Sequence, residues 1–107
     1  MEYFTTEKKR YITRGIQSDI PLLYQMVMFA AINELKVSEI DIDYLQIFEL
    51  SVQSIEGEDV QIINHRQEEP EYSEKLEMPI QDKGINEKVY VIDDGADYIT
   101  MLLASEY

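Results

Sequence analysis

The sequence predicts an α+β fold: a twisted, mainly antiparallel sheet of about five strands, with one principal helix over about residues 20–36 packed on one face. Three observations carry this. Only the stretch from Pro21 to Lys36 runs at helical spacing without an internal glycine or proline. Much of the remaining chain falls into short alternating or β-branched runs bounded by turn-forming residues. One helix supplies too few crossovers for a parallel sheet, so hairpins must make most of the strand pairs. At 107 residues the chain is expected to form one domain over 1–107 around one core.

The first element, Arg10-Tyr11-Ile12-Thr13-Arg14, is β-branched and aromatic, and Gly15 breaks it, so it reads as a short strand. Ser18 or Asp19 can then cap a helix whose first turn accommodates Pro21. Within that helix Leu22, Leu23, Met26, Val27, Ala30, Ala31 and Leu35 recur at helical spacing. Gln25, Lys36, Leu22, Phe29 and Asn33 share one sector, which should face outward. Leu23, Met26, Val27, Ala30 and Ala31 lie around the other side. A large aromatic among polar neighbours points to a second contact surface, unless the N-terminal segment or a loop folds over it. Leu22, Phe29 and Ile32 are therefore the residues expected at a homodimer contact.

After Lys36 the period changes to alternation. Tyr44, Gln46, Phe48, Leu50 and Val52 share one strand face, and Leu45, Ile47, Glu49 and Ser51 the other. Ile55 to Asp59 carries turn residues, and Val60 to Arg66 resumes the extended pattern, completing a β-hairpin. Glu68-Glu69-Pro70-Glu71 interrupts it before a weaker strand, Tyr72 to Met78, ended by Pro79. Residues 81–84 read as a loop. Val89 to Ile92 is a buried-type strand, Asp93-Asp94-Gly95 a turn, and Tyr98 to Leu103 the returning partner. Met101 to Ala104 holds strong helix formers, so helix is the alternative for that last run.

Nine basic against twenty-two acidic residues leave a formal charge of −13. Residues 1–36 are close to neutral, so the acidity belongs to the C-terminal two-thirds. Such a surface repels nucleic-acid phosphates and anionic lipid, so neither is expected as a direct partner. Solubility explains the charge without further function; a basic protein partner is the functional alternative. The absence of cysteine removes disulfide, thiolate-metal and thiol chemistry and suits the cytoplasm. No stretch approaches the length of a membrane span.

Candidate chemistry is sparse. Asp41 and Asp43, then Glu68, Glu69 and Glu71, then Asp93, Asp94 and Asp97 are the carboxylates that could converge on a hard cation, but they lack the glycine and distant glutamate of an EF-hand loop. His65 is the only histidine; it shares a face with Ile63, opposite Asn64 and Arg66, and is expected to be a half-exposed strand residue. No catalytic, cofactor-binding or metal-binding residue is expected, and no enzyme. Lys8-Lys9-Arg10 with Arg14 forms the only basic cluster. It is expected to meet acidic residues of the same chain or of a dimer mate.

Several strings are informative together: Arg10-Tyr11-Ile12-Thr13-Arg14-Gly15, Asp43 to Leu50, Gln67 to Tyr72, Val89 to Gly95, and Thr100 to Leu103. Over nearly the whole chain they resemble the small acidic bacterial proteins grouped as domain of unknown function 960. The resemblance implies a single-domain cytoplasmic protein and transfers no site residues. The function expected is a homodimeric protein-binding adaptor or regulator whose protein partner the residues do not name. Two alternatives are a nucleic-acid mimic that inhibits a DNA-handling or defence enzyme, and a carboxylate-dependent metal binder or enzyme.

Overall fold

Hairpin pairing dominates the architecture, as the alternation requires. The computed structural model describes residues 2–80 and 83–107. In chain order these form β1 (Lys9–Ile12), α1 (Arg14–Asp19), α2 (Leu22–Lys36), β2 (Leu45–Ile55), β3 (Glu58–Gln67), β4 (Tyr72–Met78), β5 (Glu87–Ile92) and β6 (Tyr98–Leu103), closed by a 3-10 turn at Ala104–Glu106. The sheet order is β1-β6-β5-β2-β3-β4, with β1 and β4 at its edges. Every described pair is antiparallel except β1 with β6. Of the loop expected at 81–84, Gln81 and Asp82 lie outside the described residues.

The β2–β3 hairpin turns on Glu56 and Gly57, both with positive φ (52° and 83°). Two such residues give the turn whose twist matches that of the strands it joins. The last run is strand: Leu102 pairs with Tyr90 and Leu103 with Val89.

Four expectations need correction. Among the described residues the sheet has six strands where about five are expected, and β1 lies parallel to β6. A parallel pair needs a long connection, and the whole intervening chain serves as one, so no dedicated crossover helix is required. Gly15 does not end local order. Thr13 caps α1 by accepting from the Ile16 amide at 3.3 Å. The Glu106 carboxylate in turn receives the Thr13 hydroxyl at 2.6 Å and the Gly15 amide at 3.1 Å. A Cβ at Gly15 would lie 2.7 Å from that carboxylate, so a larger residue there would displace the Glu106 side chain. Ser18 and Asp19 consequently belong to α1, and α2 starts after Pro21 without a side-chain cap.

The fourth correction is the orientation of α2. Tyr24, Gln25, Met28, Ile32 and Leu35 are buried, while Leu23 and Met26 are exposed. The helix is apolar nearly all round, so its periodicity does not choose a face. Tyr24, Met28 and Ile32 join Ile16, Ile20, Phe48, Leu50, Ile63, Val89, Val91 and Met101 in one core. Burying each such large side chain contributes about 1.5–3 kcal/mol.

The N-terminal arm is fastened to the same chain. Phe4 enters the core with φ at 60°, a left-handed conformation that costs about 1 kcal/mol or more. It is held there by its own amide, which donates to the Asp93 carboxylate at 2.7 Å. Lys8 Nζ sits 2.8 and 2.9 Å from the two oxygens of that carboxylate. Burial alone would raise the Asp93 pKa; the hydrogen bonds from Lys8, Phe4 and Gly95, with the lysine charge, outweigh it and hold it below the ordinary value.

Candidate functional site: a histidine cavity beside the long helix

The alternation of β3 sends Ile63 and His65 to the side of the sheet that α2 covers, and Asn64 and Arg66 to the other. His65 pairs in register with Phe48 of β2, and the two rings stack at 4.4 Å and 11°. Tyr72 closes over the imidazole edge-on at 5.5 Å. The ring is 1% exposed. The half-exposed histidine expected from the strand pattern is therefore a buried one, because α2 and Tyr72 both lie over this part of the sheet.

A buried imidazole needs partners, and a chain of amides supplies one. Gln67 Nε2 donates to the backbone carbonyls of Asp41 at 2.9 Å and Pro70 at 2.8 Å. Carbonyls only accept, so the nitrogen must face them and Gln67 Oε1 must face the other way. There it accepts from the Asp43 amide at 2.9 Å and from Gln46 Nε2 at 2.8 Å. Gln46 Nε2 also donates to the Asp43 carbonyl at 2.9 Å, which turns Gln46 Oε1 toward His65 Nε2 at 2.6 Å. Since that oxygen only accepts, Nε2 carries the proton, and Nδ1 holds a lone pair. Backbone groups at residues 41, 43 and 70 thus set the tautomer of a ring two glutamines away.

Nδ1 makes no hydrogen bond among the described residues. Every fully enclosed side-chain nitrogen or oxygen there has a partner, so Nδ1 is reached from the cavity that His65 lines. This cavity, about 230 Å³, lies between α2 and β3–β4. The helix contributes Val27, Ala30, Ala31 and Glu34, and the sheet His65, Glu74 and Leu76. Glu74 accepts from the Tyr72 hydroxyl at 2.6 Å.

Burial lowers the His65 pKa to about 4 against the opposing charge of Glu74, so the ring is neutral at pH 7. The Tyr72 phenol is pushed up to about 12 by burial, by its hydrogen bond to Glu74, and by the charges of Glu74 and Glu34. The cavity is therefore rich in acceptors: a fixed lone pair and two carboxylates, with no lysine or arginine among the described residues of its lining.

The residues expected at a homodimer contact fare differently. Leu22 is 68% exposed, as a contact requires. Phe29 is half-buried against the core, with the Arg10 guanidinium 4.6 Å from its ring centre. The N-terminal segment thus covers it within its own chain. Ile32 is 2% exposed and belongs to the core, so it is not available at the surface. In their place Met26 is 60% and Val37 85% exposed. At 3.6 residues per turn, Leu22, Leu23, Met26, Ala30, Asn33 and Val37 fall in an outward arc of about 100°. All six are exposed.

The carboxylates do not converge. Asp93 is occupied by Lys8, and Asp43 accepts the Glu69 amide at 3.2 Å. Among the described residues no three His, Asp or Glu side chains are placed to hold a metal ion. Among them also, no helix is long and apolar enough to cross a membrane. Alternation could have located the face of His65; its burial and its relay could not be read, since both depend on residues remote in sequence.

Two likenesses place the molecule among known proteins. The family described as Staphylococcal protein of unknown function (DUF960) matches residues 9–106. A crystal structure of a protein of unknown function from Enterococcus faecalis superposes with a TM-score of 0.81 at 21% identity, covering 100% of this chain and 97% of that one. At that identity the likeness establishes a shared fold. No curated protein matches the chain.

Proposed function

The chain belongs to the DUF960 family of staphylococcal proteins of unknown function, and from that premise we propose that it is a homodimeric protein-binding adaptor or regulator. The observation that supports this is the outer arc of α2. A helix lying on one sheet ordinarily turns polar residues to water. Here Leu22, Leu23, Met26, Ala30 and Val37 stand exposed in one arc whose only polar member is Asn33.

A second copy is the occupant that suits this surface best. The arc carries no carboxylate, although the whole chain has a charge of −13, so two copies meet there without opposing charges. An uncharged apolar face is complementary to itself across a two-fold axis, and Ala30 near its middle lets two helices approach closely. The exposed acidic residues of the hairpin turns, Glu56 to Asp59 and Glu68 to Glu71, then face outward toward a basic protein partner. The absence of cysteine fits work in the cytoplasm.

Light scattering on the wild type and on Met26→Glu tests the pairing. The wild type is expected at twice the 12.6 kDa of one chain, and the variant at the mass of a single chain. A monomeric wild type, or a variant that remains dimeric, refutes it.

A further inference from the structure

We propose that the cavity between α2 and β3–β4 binds a primary ammonium group carried on a short alkyl chain, with His65 Nδ1 as an acceptor in its lining. The shape and the chemistry of the walls agree on this class. Val27 and Ala31 from the helix and Leu76 from the sheet give an apolar lining, while Glu34 and Glu74 stand on opposite walls. An alkyl chain suits the first three, and a cation suits the other two.

The histidine is the second, independent observation, and it separates this site from a chance cluster of acids. Its ring is buried between Phe48 and Tyr72, and the glutamine relay commits Nε2 to Gln46. What remains for the cavity is a lone pair that accepts a hydrogen bond and cannot donate one. A carboxylate or phosphate would meet that lone pair and two negative charges, with no donor side chain among the described residues of the lining to receive it. An alcohol could donate one hydrogen bond but leaves the carboxylates uncompensated. An ammonium has three donors and a positive charge, matching one lone pair and two carboxylates.

Size narrows the choice further. Drug-sized ligands occupy pockets of roughly 300–1,000 Å³, and this one holds about 230 Å³. That space suits a chain of a few carbons rather than a drug-sized ligand. A free alkylamine and the side chain of a lysine share that chemistry. The site does not depend on pairing through α2, since Ala30 alone is common to the cavity lining and the outer arc.

The test is a titration of the full chain at pH 7 followed by NMR of the His65 ring nitrogens and the Ala31 and Leu76 methyl groups. The probes are n-butylamine, n-butanol and butyrate, with an acetylated, amidated Gly-Lys-Gly peptide as a fourth arm. Saturable shifts are expected with n-butylamine at all three residues, about tenfold weaker binding of n-butanol, and none of butyrate. Glu74→Gln keeps the shape of the strand and an acceptor for Tyr72, and is expected to weaken n-butylamine roughly fivefold. A peptide that binds as n-butylamine does assigns the site to a lysine side chain, and one that does not assigns it to a small amine. Equal binding of all three small probes, no saturable shift, or unchanged n-butylamine affinity in Glu74→Gln overturns the proposal. None of these readouts depends on whether the chain dimerises.

Discussion

Acidification from pH 7 to pH 4 should remove a defined share of stability through one ring. In the unfolded chain His65 takes up its proton near the ordinary value of 6.5; in the native state burial delays uptake to about pH 4. The native state therefore binds fewer protons than the unfolded one between these values. The contribution of His65 is present in full above about pH 6.5 and is lost progressively as the pH falls toward 4. A separation of that size corresponds to about 3 kcal/mol, a large fraction of the stability of a small domain. The measurement is a difference, which isolates this ring: urea unfolding of wild type and His65→Gln at a series of pH values. Their stability difference should shrink by about 3 kcal/mol between pH 7 and pH 4. Glu74 and Glu34 are the charged groups lining the cavity, and repeating the series in a Glu74→Gln background isolates the charge that opposes the shift. NMR titration of the ring supplies the direct check. A His65 midpoint near 6.5, or a stability difference that is flat with pH, would refute the burial of the ring.

Two further outcomes follow from the polar anchors. Gln67→Leu strands the Asp43 amide and the carbonyls of Asp41 and Pro70, which Gln67 now satisfies; a loss of about 2–4 kcal/mol is expected in urea unfolding, with a second proton position appearing on the His65 ring. Lys8→Met leaves the Asp93 carboxylate buried without its cation; a loss of about 3 kcal/mol should accompany faster amide exchange at Phe4, and unchanged exchange there would argue against the arm being fastened through this pair.

The elements that depend on near neighbours were legible, and those that depend on remote ones were not. Tyr72–Met78 emerged as a strand with the expected bounds because Pro70 and Pro79 delimit it locally. The β2–β3 hairpin is written in its own alternation and in Gly57. By contrast α1 rests on a glutamate 91 residues further on, so Gly15 looked like a break. The pairing of β1 with β6 joins the two ends of the chain, which no periodicity encodes. Of the candidate site, the shared face of Ile63 and His65 was readable. The relay was not, since Gln46 and Gln67 are 21 residues apart and look like ordinary strand glutamines. Phe29 was recognised as a covered position or a contact; Arg10 decides for cover.

An open sheet ends in two rows of unused amide and carbonyl groups, and each row can template growth into a fibre. Here β1 offers four residues, among them Lys9 and Arg10, and β4 carries exposed Glu74, Lys75 and Glu77. Brevity on one side and alternating charge on the other discourage main-chain polymerisation. With both borders guarded in this way, the chain can present an oily helix to other molecules while resisting amyloid-type stacking.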